Sequence, residues 1–245
     1  MNPISRHALL CGALIVATAA GCAVRLGGPK PETYRTLAVA VDGGESPADV
    51  ALRIRNAQAD VVLLSSPGDS AWFEELARQT SLVLSGPGDA GTARLAFLGG
   101  TAVGDTTIAL PVDGGGRLVV HDALYRVDKY RYLDLMAARI EPGTNVRGAI
   151  RALLAYVATD VMHNAAVALA VEVPDAATGD SVAVLLRPAF TDTRACLESD
   201  RGGSADPAAP RMRLFYGPGL RIRCESARIL DGSSPMILGR LVVQQ

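Results

Sequence analysis

The sequence predicts an α/β fold in which two mixed β-sheets pack face to face with helices on the outside, a four-layer α/β sandwich. Apolar runs of strand length alternate with segments of helix length in the first part of the chain. A series of strand-like runs follows, interrupted by one helix, which gives about ten strands and three helices. At 49% hydrophobic and 20% charged residues, the composition is that of a globular protein.

The first part of the chain alternates strands and helices. Residues 36–42 form a short β-rich run closed by two glycines, and Ser46-Pro47 then marks the start of a helix to about residue 57. Residues 61–64 are an apolar run of buried-strand length, followed by a second helix from residue 69 or 70 to about 79.

The remaining chain is rich in strands and contains one further predicted helix, at residues 145–157. The predicted strands are 82–84, 93–98, 106–111, 117–127, 132–140, 165–173, 212–216, 220–227 and 236–243. We expect seven apolar residues of these elements to be buried between the sheets and helices: Val39, Val62, Leu64, Leu135, Val167, Leu169 and Phe215.

The N-terminus resembles a bacterial lipoprotein signal peptide. An apolar run at residues 8–20 follows the positive charge of Arg6, and it is too short to cross a bilayer. The run ends in Ala-Ala-Gly-Cys at residues 19–22, where the lipoprotein pattern prefers Leu at the position of Ala19. The resemblance implies cleavage before Cys22 and lipid on that cysteine. An ordinary signal peptide cleaved near Ala20 and a buried apolar helix are the alternatives.

This interpretation divides the chain into three parts: a signal peptide at residues 1–21, a lipid-anchored tether at 22–33 and a folded domain at 34–245. Gly and Pro punctuate the tether, and no periodicity is visible in it. The resemblance to lipoproteins places the mature protein in the cell envelope, held to a membrane. Its partner there is expected to be an envelope protein or a small anion.

Charge and composition bear on whether the protein binds nucleic acid. The net charge of −1 and the 4% of aromatic residues do not suit a nucleic-acid-binding protein, so no nucleic-acid partner is expected.

Of four cysteines, Cys11 leaves with the signal peptide and Cys22 carries lipid. We therefore expect Cys196 and Cys224 to pair in an oxidising compartment. The alternative is two unrelated small core residues.

Several segments resemble the endonuclease/exonuclease/phosphatase superfamily. The run ADVVLLSS at residues 59–66 looks like the family's ADVVxLQE segment, and RMRLFY at 211–216 looks like RIDYIF. Phe190-Thr191-Asp192 and residues 233–236 resemble two further segments, the last being the closing SDHxPV strand. The resemblance implies the four-layer fold and a Mg²⁺-assisted attack of water on a phosphodiester.

The residues that this chemistry needs are replaced. Ser66 stands where the family has its metal-binding Glu, and Arg139 stands where it has a His. Glu172 substitutes for an Asp, Arg213 replaces another Asp, and Pro235 and Met236 replace the Asp-His pair. Neither His121, inside a strand, nor His163, in a loop, is expected to restore the chemistry. Each is interpreted as a structural or solvated residue.

These replacements predict a non-catalytic binding protein without a cofactor. The alternative is a divergent Mg²⁺-dependent phosphodiesterase or phosphatase whose ligands lie at other positions. Arg139 and Arg213 could together bind an anion, because a guanidinium fork suits phosphate or carboxylate. Against that, Arg211 and Arg213 alternate with apolar residues, as they would in any solvent-facing strand.

Overall fold

The computed structural model describes residues 32–86, 95–127, 129, 131–160, 165–197, 210–217 and 222–244. The predicted signal peptide, Cys22 and His163 lie outside these residues. The first strand begins at Glu32, two residues before the predicted start of the domain. None of the described helices is long and apolar enough to span a membrane.

The first of two six-stranded sheets is built around one parallel pair of strands. Its strands are β1 (Glu32–Ala40), β2 (Val61–Ser65), β3 (Val83–Ser85), β4 (Leu95–Gly99), β11 (Ile222–Leu230) and β12 (Met236–Val243), in the order β11-β12-β1-β2-β4-β3. Strands β1 and β2 are parallel, and the other neighbours are antiparallel. The sheet is therefore mixed, as predicted.

The second sheet has the same plan. Its strands are β5 (Ala102–Pro111), β6 (Arg117–Arg126), β7 (Tyr132–Arg139), β8 (Ala165–Glu172), β9 (Thr191–Asp192) and β10 (Met212–Gly217), in the order β5-β6-β7-β8-β10-β9. Strands β7 and β8 form its parallel pair. Each sheet therefore contains two neighbouring strands whose carboxyl ends lie at the same edge.

Helices cover the outer face of each sheet. Helices α1 (Pro47–Ala57) and α2 (Ser70–Thr80) pack on the first sheet, and α3 (Val146–Asp160) and α4 (Ala176–Leu186) pack on the second. Ser46 caps α1 by accepting a hydrogen bond from the Asp49 amide, as its sequence predicts.

Helix α4 was not predicted, nor were β9 and the 3₁₀ turn at Thr193–Cys196 that follows it. The N-terminal half of α4 contains Thr178, Gly179, Asp180 and Ser181, all poor helix formers, which hides its helical character. The detectable signal was Asp175, whose side chain accepts from the Thr178 amide at 2.7 Å as an N-cap.

The core lies in three layers, and the central one lies between the two sheets. Larger apolar side chains there pack with seven alanines: Ala38, Ala40, Ala123, Ala137, Ala166, Ala168 and Ala170. All seven residues predicted to be buried are buried. Leu135 lies between the sheets, and the other six lie between a sheet and its helices. The predicted four-layer fold is confirmed.

A disulfide joins elements from the two halves of the sandwich. Cys196 in the 3₁₀ turn pairs with Cys224 on β11, which confirms the predicted pairing. The bridge spans a sequence separation of 28 residues. Closing a loop of this size stabilises a folded chain by about 3–4 kcal/mol.

Two carboxyl groups meet beneath α3. Asp134 on β7 is only 3% exposed and is hydrogen-bonded to Asp122 on β6, which also accepts a hydrogen bond from the Tyr156 hydroxyl at 2.6 Å. Burial and the neighbouring Asp122 raise the pKa of Asp134 to about 9. Asp134 therefore carries its proton at neutral pH and shares it with Asp122.

We expect this pair to make the stability of the protein fall with rising pH. Between the ordinary pKa of 3.8 and the raised value of about 9, Asp134 ionises in the unfolded chain but not in the folded one. Asp134→Asn cannot ionise and so does not lose this stability. Its free energy of unfolding should therefore rise relative to that of the wild type as the pH increases from about 4 to about 9. Urea denaturation across this range measures the difference.

The matched control is Asp231→Asn, which removes a carboxyl from an exposed turn and leaves the buried pair intact. If Asp134→Asn and the wild type kept a constant difference in unfolding free energy at every pH, the shared proton would be refuted.

Candidate functional site

The parallel pairs of the two sheets end at a common edge. Asp42 follows β1 and Ser65 ends β2, while Arg139 ends β7 and Glu172 ends β8. Strands β12 and β10 run antiparallel to β1 and β8, so the residues just before them, Ser234 and Arg211, reach the same edge. We call these six residues the cleft cluster: Asp42, Ser65, Arg139, Glu172, Arg211 and Ser234.

Glu172 is the buried acid of this cluster. Its residue is 7% exposed, and its Oε2 accepts a short hydrogen bond from the Ser65 hydroxyl across the gap between the sheets. Arg139 lies opposite Glu172 in the β7–β8 register and places Nε 3.4 Å from the same oxygen. Nη2 of Arg211 lies 4.0 Å from Oε1. The Ser65 hydroxyl and the Arg139 guanidinium thus compensate a nearly buried carboxylate, and Arg211 lies at the limit of ion-pair distance.

Asp42 is held by a second set of contacts. Nη2 of Arg211 lies 2.7 Å from its Oδ1, and the Ser234 hydroxyl donates to its Oδ2 at 3.1 Å. The backbone amide of Asp42 donates in turn to the Ser234 hydroxyl. Arg53 on α1 donates to the Ser234 carbonyl and pairs with Glu45, which fixes the turn before β12.

Ser66, Pro235 and Met236, which replace catalytic residues of the family, lie next to the cleft cluster in the sequence, and none of them is placed to react with a ligand. Ser66 is buried, and its hydroxyl accepts from the Gly68 amide at 3.1 Å, a local turn contact. Pro235 is half-buried, and Met236 packs in the core between the first sheet and its helices. No base contacts the Ser66 hydroxyl within the described residues, so it is not an activated nucleophile.

Arg213 lies outside the cluster, and the predicted joint anion site with Arg139 is not formed. On β8 and β10, Glu172 shares its face with residues of the inter-sheet core, whereas Arg213 shares its face with Phe215 and points toward α4. Nη1 of Arg213 lies 3.1 Å from Asp180 and Nη2 lies 2.6 Å from Asp192. Arg211, two residues earlier, takes the place beside Arg139.

The surroundings of Arg213 are shaped to hold its side chain. The side chain is 5% exposed, and a Cβ added at Gly179 would lie 2.9 Å from Nη1, so the glycine leaves room for the guanidinium. The hydrogen bond from Arg213 lowers the pKa of Asp180. These contacts tie β10 to α4 and β9, which is a structural role.

His121 is likewise structural. Its ring is buried in the second sheet, with Nδ1 2.7 Å from the Thr107 hydroxyl on the neighbouring strand. Burial lowers its pKa, so the imidazole is neutral at physiological pH. This contact joins β6 to β5. The cleft residue Glu172 lies on β8, which is separated from these two strands by β7.

The cleft cluster does not fit a magnesium ion. Among the described residues, no group of three or more His, Cys, Asp or Glu side chains is arranged to hold a metal. Mg²⁺ needs near-octahedral oxygen ligands, but the carboxylates of Glu172 and Asp42 face arginines and serine hydroxyls. The two guanidinium groups would also repel a cation at this edge.

Comparison with solved structures identifies the fold of the chain. No protein-family model matches the sequence, and no curated protein sequence matches it. An endonuclease/exonuclease/phosphatase from Bacteroides vulgatus superposes with a TM-score of 0.68 at 11% identity, covering 87% of this chain and 100% of that one. A family protein from Bacteroides thetaiotaomicron gives 0.68 at 8% identity, covering 88% and 100%. The chain has the endonuclease/exonuclease/phosphatase fold.

A third similar structure is TDP2 from D. rerio, complexed with a single-strand DNA product. It has a TM-score of 0.64 and 15% identity, and the match covers 86% of this chain and 99% of that one. The shared architecture explains why the ends of β1, β2, β7 and β8 meet at one edge. It does not carry the DNA ligand over to this chain.

Alanine variants of Arg213 and Arg211 test whether Arg213 has a structural role that Arg211 does not share. Arg213→Ala leaves Asp192, whose side chain is only 17% exposed, without its partner, so we expect the free energy of unfolding to fall by about 2–4 kcal/mol. Arg211→Ala removes a side chain that is 44% exposed and should change stability by less than about 1 kcal/mol. Chemical denaturation of the two variants measures both values. Equal losses would contradict the structural role assigned to Arg213.

Proposed function

We propose that this chain is a lipid-anchored envelope protein of the endonuclease/exonuclease/phosphatase superfamily that has lost its chemistry and binds a small anion. The observation that supports the proposal most strongly is the position of Arg139 and Arg211. Their guanidinium groups hold Glu172 and Asp42, the carboxylates at the edge where the superfamily places its metal.

The absence of catalysis follows from the chemistry that the superfamily uses. A metal ion stabilises charge on the phosphodiester, and an acid-base group moves the proton of the attacking water. In this chain a fixed positive charge stands where a metal would need ligands, and no histidine belongs to the cleft cluster. Losing acid-base catalysis alone costs about 10²–10⁴-fold in rate.

Anion binding is the chemistry that the cluster retains. Arg139 is 30% exposed and Arg211 is 44% exposed, so both guanidinium groups reach solvent while lying beside Glu172. Planar guanidinium forks match the oxygens of phosphate and carboxylate groups. Two arginines at one edge therefore suit an oxyanion such as a phosphate or carboxylate group.

Two exposed acids now occupy the positions that such an anion would take. Glu141 lies 3.1 Å from Nε of Arg139, and Asp42 lies 2.7 Å from Nη2 of Arg211. Both carboxylates are about half exposed, and ion pairs of this kind contribute little to stability. A ligand oxyanion can displace them at small cost, while the buried Glu172 still lies 3.4 Å from Arg139 and 4.0 Å from Arg211.

The purified protein should have no metal-dependent phosphodiesterase activity. Bis-p-nitrophenyl phosphate, DNA and sphingomyelin, each with Mg²⁺ and with Mn²⁺, cover the substrates of a divergent phosphodiesterase. Glu172→Gln and Asp42→Asn are the controls, because those two carboxylates are the cluster's acids. Metal-dependent turnover that both substitutions reduce would overturn the proposal and favour a divergent phosphodiesterase.

Lipid attachment is expected at Cys22, because a signal-like segment ends in Gly21-Cys22. Cys22→Ala should abolish incorporation of a radioactive fatty acid and release soluble or unprocessed protein. Cys11→Ala, a change inside the predicted signal peptide, should keep the label and serves as the matched control. A wild-type protein that takes up no label would disprove the lipid anchor.

A further inference from the structure

A groove lies on the outer face of the second sheet, between α4 and the segment that contains β9 and the 3₁₀ turn. Its cavity has a volume of about 600 Å³, and small-molecule sites range from about 300 to about 1,000 Å³. The groove shares no residue with the cleft cluster. We call it the α4 groove, and its lining includes Asp180, Val184, Phe190, Arg194, Leu197 and Arg213.

Helix α4 forms one wall of the groove. Four of its residues line the cavity at the spacing of a single helix face, namely Asp180, Ala183, Val184 and Arg187. The Val184 side chain in the middle of this face is 61% exposed, the largest exposed fraction among the large apolar residues of the described ranges. This wall therefore presents apolar surface to water between charged residues.

The opposite wall is fixed to both sheets. Ala195 and Leu197 line the groove on either side of Cys196. The disulfide to Cys224 attaches this wall to β11 of the first sheet, and the Thr193 hydroxyl donates to a carbonyl of β10 in the second sheet at 2.9 Å. The groove is therefore formed before a ligand arrives, which lowers the entropic cost of binding.

Two guanidinium groups meet at one exposed acid in the groove. Nη1 of Arg213 lies 3.1 Å from Oδ1 of Asp180, and Nη1 of Arg194 lies 3.2 Å from the same oxygen. The Asp180 side chain is 69% exposed, and an exposed ion pair contributes little to stability. Asp180 therefore occupies a position from which a ligand oxyanion can displace it at small cost.

Arg213 is held independently of Asp180. Its Nη2 lies 2.6 Å from Asp192, whose side chain is only 17% exposed. Its Nε has no hydrogen-bond partner in the described part of the chain, so the two acids do not use every donor of this guanidinium. Asp180 offers one oxygen to both arginines, whereas a ligand carboxylate can offer one oxygen to each.

Apolar side chains line the same cavity as the two arginines. Phe190 is 3% exposed and lies on the inner side of the groove, and Val184 and Leu197 belong to its two walls. Covering these side chains removes apolar surface from water, which favours binding. The groove therefore combines a position for a carboxylate with a surface for an apolar chain.

We infer that the α4 groove is a second binding site, which takes an apolar monocarboxylate such as a medium-chain fatty acid. The ligand carboxylate replaces Asp180 at Arg194 and Arg213, and the apolar chain lies against Val184 and the opposite wall. Inorganic phosphate lacks the apolar part, so the ligand of this groove differs from that of the cleft. The site depends neither on the lipid anchor nor on the anion-binding cleft.

Calorimetric titration of the soluble Cys22→Ala protein tests the site, because no lipid on the protein then competes for the groove. The ligands are decanoate, acetate, which has only the carboxylate, and decanol, which has only the apolar chain. We expect saturable binding of one decanoate per chain, and binding at least about tenfold weaker for acetate and for decanol.

Removal of the competing acid should strengthen binding. Asp180→Asn should lower the dissociation constant of decanoate about fivefold, because breaking an exposed ion pair no longer opposes the ligand. The matched control is Asp113→Asn, which removes a carboxylate that is also 69% exposed and also pairs with an arginine, Arg151. The control should bind decanoate as the wild type does.

A second pair of variants tests the apolar wall. Val184→Asp should weaken decanoate binding about tenfold, and Leu52→Asp makes the same kind of change at a side chain of α1 that is 52% exposed and should have no effect. The substituted residues are all exposed, so folding does not limit either comparison. The absence of decanoate binding, or equal affinities within both pairs of variants, would overturn the site.

Discussion

The arrangement of the cleft depends on one buried carboxylate, that of Glu172. It ends a strand of the second sheet, accepts a hydrogen bond from Ser65 of the first sheet, and lies between Arg139 and Arg211. A carboxylate at this depth is stable only when hydrogen bonds and opposite charges compensate it. Glu172 therefore joins the two sheets at the cleft edge and pairs there with Arg139, while Arg211 is held mainly by Asp42.

The rest of the fold delivers these residues to one place. The two sheets pack face to face through one apolar core, and the parallel pair in each sheet brings four carboxyl ends to the same edge. In the metal-dependent enzymes that the sequence resembles, such an edge collects acids around an ion. Here it collects arginines around two acids. The same scaffold is therefore suited to holding an anion.

Long apolar patterns made most of the fold predictable from the sequence. The strands that form both parallel pairs were predicted, since β8 for example is uninterrupted in its hydrophobicity, and so was the Cys196–Cys224 disulfide, because few cysteines remain to pair. Helix α4 was missed, because its first turns contain Gly179 and small polar residues. Arg213 was wrongly placed in the cleft, because a motif match does not reveal which face of a strand a side chain occupies. The role of Arg211 became visible only from its side-chain contacts with Asp42 and Glu172, because it lies just before the first residue of β10.

The cleft is expected to bind an oxyanion and not a divalent metal. Calorimetric titration of the purified protein with inorganic phosphate and, separately, with Mg²⁺ tests this most directly. We predict saturable phosphate binding that is lost when Arg139→Gln and Arg211→Gln are combined and kept when Arg117→Gln and Arg147→Gln are combined. Magnesium should give no binding heat. Saturable Mg²⁺ binding that disappears in Glu172→Gln, or phosphate binding that survives the loss of both cleft arginines, would contradict an anion-binding cleft.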